Sequence, residues 1–133
     1  MLFSKSGKPQ SRIDTLIGAG TTIEGNVSFA GGLRVDGVIR GNVSAAEGEA
    51  GTLVVSEHAR IEGKVCVPHL VINGTVAGPL VAGESLELQA RARVTGDVEY
   101  SSVEIQLGAV VDGRLVHRPS GGKAVELKLA SSS

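Results

Sequence analysis

Aromatic side chains are almost absent from this chain, whose 133 residues include two Phe, one Tyr and no Trp. Hydrophobic residues nevertheless make up 41% of the sequence, so any core must be built from aliphatic side chains. Globular cores usually rely on large aromatic residues, and their scarcity predicts a narrow interior. The single cysteine, Cys66, excludes an intrachain disulfide and indicates a reducing compartment.

Long apolar runs are also missing. The sequence lacks the ~20 consecutive apolar residues of a membrane-spanning helix. No apolar stretch of about seven or more residues follows the first charges, as a secretory signal requires. We therefore expect neither a membrane span nor a secreted protein.

The residues that usually carry chemistry do not form recognisable patterns. His58, His69 and His117 each lack a second histidine at metal-ligand spacing. The segment 18–20 lacks the third glycine of a dinucleotide loop, and Lys123 precedes Ala where a phosphate-binding loop needs Ser or Thr. The sequence predicts no catalytic residue, no metal ligand and no cofactor.

What the chain does contain is an internal repeat. Segments 53–65 and 86–98 have apolar residues at matching positions, and looser or shorter copies occupy 15–27, 33–43, 70–80 and 103–115. The last apolar residue of each copy recurs at intervals of 15 to 22 residues, at Val27, Val43, Val65, Leu80, Val98 and Leu115. A repeat of this kind is typical of solenoid architectures.

Within each copy, apolar and polar residues alternate, as they do in a β-strand with one buried face. One copy cannot bury its apolar row alone, but stacked copies form a continuous core. A step of about 17 residues suits one turn of three short strands. We predict an all-β parallel β-helix of about six turns over residues 14–116, with 44–52 bulging from a corner. Residues 1–13 and 117–133 are then flexible, disordered tails.

Charge is distributed unevenly between these parts. Residues 14–115 carry 7 basic and 13 acidic groups, whereas residues 1–13 carry three basic groups and no acid. An acidic rod argues against nucleic-acid binding along its sides, because that requires a basic face.

The first residues allow two interpretations, a plain tail or a membrane-binding peptide. Leu2 and Phe3, after Met1, would insert into a bilayer, and Lys5 and Lys8 would contact anionic head groups at about 1 kcal/mol each. One copy would bind weakly, whereas many copies on one polymer would bind strongly through avidity.

Two consecutive phrases resemble a known family. The first run extends from Leu16 to Val27 and reads Leu-Ile-Gly-Ala-Gly-Thr-Thr-Ile-Glu-Gly-Asn-Val. The second extends from Leu33 to Val43 and reads Leu-Arg-Val-Asp-Gly-Val-Ile-Arg-Gly-Asn-Val. Together they are similar to the opening of the bactofilin domain. The resemblance covers residues 13–118 and includes the short tails.

The resemblance implies a bacterial cytoskeletal protein with a right-handed triangular β-helix. Bactofilins assemble end to end, without nucleotide, into filaments without polarity. They act in cell shape and polarity and in the placement of cell-wall enzymes. Many bind the inner face of the cytoplasmic membrane through a short N-terminal peptide, which residues 1–5 resemble. The handedness rests on the resemblance alone.

End-to-end assembly has a physical reason in this fold, because each end of a β-helix exposes a strand edge and an open apolar bore. No capping helix is evident at either end of the repeat. At the N-terminal turn we predict a polymer interface of Leu16, Ile17, Ile23 and Val27. At the C-terminal turn we predict an interface of Val103, Ile105, Val110, Val111, Leu115 and Val116.

Three alternatives remain at this stage. Ile17 and Ile23 have the six-residue step of a left-handed β-helix acyltransferase, for which His58 would be the catalytic histidine. That step does not persist in later copies. A secreted β-helical adhesin would need a secretory signal. An assembly scaffold outside any known family is the third alternative.

Overall fold

The computed structural model describes residues 13–46 and 50–119, and over these residues every regular element is a β-strand. The predicted all-β class is therefore confirmed. The strands are β1 (Thr15–Ile17), β2 (Thr22–Glu24), β3 (Val27–Phe29), β4 (Gly31–Val35), β5 (Val38–Arg40), β6 (Val43–Ala45), β7 (Gly51–Val55), β8 (Arg60–Glu62), β9 (Val65–Ile72), β10 (Thr75–Ala77), β11 (Leu80–Leu88), β12 (Arg93–Thr95), β13 (Val98–Ile105), β14 (Val110–Asp112) and β15 (Leu115–His117).

The strands stack in parallel as a solenoid of about six turns with three faces. One face contains β1, β4 and β7 followed by the second halves of β9, β11 and β13. The second face is the sheet β2-β5-β8-β10-β12-β14. The third contains β3 and β6, the first halves of β9, β11 and β13, and then β15. The long strands bend around a corner at a register shift between Ala82 and Ser85.

The repeat positions in the sequence become register columns in the structure. The last apolar residues of the six copies lie directly over one another from Val27 to Leu115, as the repeat predicts. A second column runs from Ile23 to Val111, and a third from Ile17 to Ile105. The inner members of these columns are buried. Aliphatic residues fill the bore, which explains the scarcity of aromatic side chains.

Besides the segment 44–52, the turns differ in length at the corner between the first and second faces. The third turn places five residues between Val55 and Ile61, whereas the second places three between Val35 and Ile39. The short corner is possible because Gly37 has no side chain: an added Cβ would overlap backbone carbonyl oxygens of the turn before it. The corner of the fourth turn is shortened in the same way.

Polar side chains also connect neighbouring turns. The Oδ1 atom of Asn26 accepts a hydrogen bond from the backbone N–H of Asn42 at 2.9 Å, and the Oδ1 atom of Asn42 accepts one from Lys64 at 3.0 Å. These bonds satisfy backbone donors at a corner where the strand ladder is interrupted.

Parts of the predicted boundaries fall outside the described residues. Residues 1–12 and 120–133, which make up most of the two predicted tails, are not among the described residues. Residues 47–49 of the predicted loop 44–52 are not among them either. The last strand extends to His117, the residue at which the C-terminal tail was predicted to begin. The right-handed sense of the coil stays a prediction.

The glycine corners make a first prediction. An alanine Cβ at Gly74 would overlap the backbone oxygen of Ser56 and lie 2.8 Å from that of Ala59. Because backbone cannot retreat without breaking the ladder, we expect Gly74→Ala to lower the free energy of unfolding by about 1–3 kcal/mol. Chemical denaturation measures this effect.

Gly83→Ala is the matched control, because an added Cβ there meets only Pro68 Cα at 3.9 Å. We expect this variant to unfold like the parent protein. Equal stability of the two variants would contradict the close-approach explanation.

Candidate functional site

Each end of the solenoid exposes a strand edge. β1, β2 and β3 pair only with strands of the second turn, and at the other end β14 and β15 pair only with β12 and β13. Within the part of the chain that the structure describes, no strand lies on the outer side of these edges. Open edges of this kind are templates for pairing with another chain.

The N-terminal end has mostly inward-facing apolar residues. Ile17 is 8% exposed, and Ile23 and Val27 are half-buried at the ends of their columns. Leu16, which was predicted for the same interface, faces away from the bore. It is 58% exposed and lies in an outward-facing column beside Arg34, because alternation turns it away from Ile17.

The C-terminal end has more exposed apolar surface. Four of the predicted residues end inward-facing columns: Val103, Ile105, Val111 and Leu115. Ile105 is 47% and Leu115 45% exposed, whereas Leu88 and Val98, one turn inside, are fully buried. The two side chains are exposed because no seventh turn covers them among the described residues.

Two other predicted C-terminal residues face outward. Val110 lies in register with Arg93 and Val116 with Glu99, so both sit on the sides of the last turn rather than in its bore. Sequence reasoning missed Leu107, which is 95% exposed at the adjacent corner. Its signal was a leucine in a corner where other copies have Ala or a charged residue.

Ion pairs attach the last turn to the one before it. The carboxylate of Asp97 accepts a hydrogen bond from the backbone N–H of Arg114 at 3.0 Å and one from its guanidinium at 3.1 Å. The backbone donor and then the guanidinium lower the pKa of Asp97. A second pair joins Arg118 to Glu99 at 3.0 Å.

Charges also alternate along the second face. The guanidinium of Arg40 lies 3.3 Å from Glu24 and 3.6 Å from Glu62, so it bridges three successive turns. Arg60 donates to Glu62 and lowers the pKa of that carboxyl group, with Arg40 contributing less. These groups are exposed, and such pairs contribute little individually.

The histidine proposed for the acyltransferase alternative lies on an open corner. The Nε2 atom of His58 is 3.3 Å from the carboxylate of Glu57, and its side chain is 79% exposed. A second histidine, His69, forms a hydrogen bond of 2.9 Å between its Nδ1 atom and the hydroxyl oxygen of Ser85. In residues 13–46 and 50–119, no group of three or more His, Cys, Asp or Glu side chains could hold a metal ion.

The residues predicted to bind a membrane, Met1, Leu2, Phe3, Lys5 and Lys8, lie outside the described residues. Among those that are described, no helix has the length and apolarity needed to cross a membrane.

Comparison with known proteins identifies one family. The model of the bactofilins, described as polymer-forming cytoskeletal, matches residues 15–116. Bactofilin BacO of Myxococcus xanthus strain DK1622 is 29% identical over 102 residues, which cover 77% of this chain and 78% of BacO. Bactofilin BacP of the same strain is 29% identical over 116 residues, which cover 86% of this chain and 47% of BacP. The match thus spans less than half of BacP. No solved structure matches the chain.

The pair between Asp97 and Arg114 predicts a pH dependence. Because the folded-state pKa of Asp97 is lowered, its contribution to stability is present above its unfolded-state value near pH ~4. That contribution is lost as the pH falls through the lower folded-state value. We expect attachment of the last turn to weaken in this acidic range.

A carboxyl NMR titration tests this assignment. Arg114→Ala should raise the midpoint of Asp97 without restoring it fully, because the backbone donor remains. A midpoint unaffected by that substitution would contradict the role of the guanidinium.

Proposed function

Because the chain belongs to the bactofilin family of polymer-forming cytoskeletal proteins, we propose that it is a scaffold that assembles end to end into filaments. Assembly requires no nucleotide, and the protein carries out no catalysis. It is its own main partner, and the filament organises other proteins.

The observation that carries this proposal is the open bore at both ends. Ile105 and Leu115 are about half exposed at the C-terminal end, and burying such side chains contributes on the order of 1 kcal/mol each. The unpaired strand edges add directional backbone contacts. A stacked contact leaves another open end, so growth along the axis continues and does not close.

Assembly without nucleotide agrees with how the interior is filled. Side chains such as Ile39, Ile61 and Leu80 are fully buried and occupy the bore between the three faces. The bore therefore has no room for a nucleotide, which would need concave space lined by a few polar groups. We expect the contact energy to come from the ends themselves.

The filament is proposed to lie at the inner face of the cytoplasmic membrane. Leu2 and Phe3 would insert, and the basic residues up to Arg12 would contact anionic head groups. A filament displays one such peptide per subunit, so weak individual binding adds up to stable attachment. From this position it would serve cell shape by holding cell-wall enzymes or polarity proteins.

A charge at the open bore should block assembly. We expect Ile105→Lys to abolish filaments seen by negative-stain electron microscopy without nucleotide. An unpaired buried charge costs at least ~3 kcal/mol, about a hundredfold in the association constant. The subunit should still fold, because Ile105 is 47% exposed in the free chain.

Thr95→Lys serves as the control. Thr95 is exposed and faces outward on the second face, one turn inside the C-terminal edge, so the same charge should leave filaments unchanged. A parent protein that stays monomeric at high concentration would overturn the proposal itself.

Membrane attachment has a separate test. Deleting residues 2–8 should abolish co-sedimentation with anionic vesicles while filaments still form, because the interface lies in the solenoid. Replacing only Lys5 and Lys8 with Ser should weaken binding and make it less sensitive to salt. Unchanged pelleting of the deletion variant with vesicles would rule out the peptide as the anchor.

A further inference from the structure

The last long strand is paired along only half of its outer edge. In β13, Val98–Tyr100 pairs with β15, whereas Ser102–Ile105 pairs only with β11 among the described residues. On this open half, Val103 and Ile105 end inward-facing columns, and Glu104 between them faces outward. The first face therefore offers a free edge to one more parallel strand.

One segment beyond the described residues has the sequence pattern of a strand. From Val125 to Leu129 the chain reads Val-Glu-Leu-Lys-Leu, so apolar and charged residues alternate. Such alternation is typical of a strand with one buried face. Pro119 and the Ser-Gly-Gly that follows it separate this segment from β15, and these residue types favour a turn. The segment is thus a candidate for a separate strand that follows β15.

The corner that this segment would have to cross already contains a long excursion of the chain. Ala45 ends β6 on the third face, and the chain returns to the first face in β7, where Leu53 lies seven residues further on. His117 ends β15 on the same third face, and nine residues separate it from Leu127. Two more residues in a loop add little to the entropy cost of closing it. A bulge like that before β7 can therefore bring Leu127 into the column of Leu53 and Val103.

Charge selects the register of the added strand. With Leu127 over Val103, Lys128 lies beside Glu104. Glu104 is exposed and takes part in none of the ion pairs among the described residues. A shift by two residues would place Glu126 beside Glu104 instead, and like charges directly opposite destabilise a sheet. The register that pairs Lys128 with Glu104 is therefore favoured.

From these observations we propose that residues 127–129 add a seventh strand to the first face and cap the C-terminal edge of their own chain. Leu127 then covers Val103. Leu129 covers Ile105, which is 47% exposed without it. This cap rests on the proposed end-to-end assembly and regulates it, because the cap and a second copy of the chain compete for one edge. A second copy brings more contacts, but a short tether holds the cap at an effective concentration on the order of millimolar.

A disulfide tests the cap within a single chain. In a Cys66→Ser background, which removes the native cysteine, Glu104→Cys with Lys128→Cys should form an intrachain bond under mild oxidation. Neighbouring strands hold such a pair at bridging distance. Glu104→Cys with Glu126→Cys is the matched control, two residues out of register, and it should cross-link roughly tenfold more slowly.

Non-reducing gel electrophoresis at a protein concentration below that of assembly gives the readout. Equal rates for the two cysteine pairs, or bonds between two chains, would overturn the inference. The intrachain bond should also block assembly until reductant is added, because it holds the cap on the edge. A cross-linked protein that assembles as readily as its reduced form would contradict the competition.

Assembly of the full chain provides a second test. Leu127→Ser with Leu129→Ser should lower the protein concentration required for filaments roughly two- to tenfold, because more subunits then have an open edge. Ala124→Ser with Ala130→Ser is the matched control, since it adds two hydroxyl groups outside residues 127–129, and it should assemble like the parent. Light scattering over a dilution series measures both.

The outcomes separate the cap from the proposed function. If the parent forms filaments and the double leucine variant requires the same or a higher concentration, the cap is wrong and end-to-end assembly stands. If neither protein forms filaments, the proposed function is wrong, and the rates of the two cysteine pairs alone decide whether residues 127–129 occupy the edge.

Discussion

The spacing between turns is the constraint on which this structure depends. Parallel strands stack about 4.8 Å apart, so every group that points along the axis must fit within that distance. At the corner of Gly41 and Gly63 the carbonyl of one turn fills the place of a side chain on the next. At the neighbouring positions the Oδ1 atom of Asn42 reaches the N–H of Lys64. One spacing thus determines where glycine is required and where a short polar side chain can bridge.

The same spacing explains why aliphatic columns replace an ordinary core. Side chains such as Val43, Val65 and Leu80 lie in register one above another and are fully buried. Aliphatic side chains repeat at this distance without voids, whereas aromatic rings need more lateral room. The aromatics Phe29 and Tyr100 are only half-buried and pack against the edge of the core. The scarcity of aromatic residues and the aliphatic columns of the core therefore both follow from the spacing between turns.

This regularity also decides what could be predicted from sequence. The columns were predictable because each copy keeps its alternation, so Val27 and Leu115 fell into register despite turns of unequal length. It was harder to predict which way the apolar residues at the two ends face. Leu16 and Val110 were grouped with the inward-facing residues of the predicted interfaces because they are apolar, but alternation fixes them in outward columns with Arg34 and Arg93. Close backbone contacts such as that between the Gly41 carbonyl and Gly63 have no sequence signal beyond the glycines themselves.

The proposed assembly has a physical reason in how stability is distributed along a solenoid. Each turn is stabilised by its two neighbours, so the terminal turns have only half of that contribution. The exposed ion pairs, such as that between Asp97 and Arg114, contribute too little to compensate. Ile105 and Leu115 are about half exposed because, among the described residues, the last turn has a neighbour on one side only. In the proposed assembly, a second copy at an end would supply the missing neighbour, and by mass action it would stabilise the turn that needs it most. Folding of the end turns and growth of the proposed filament would therefore depend on the same contacts.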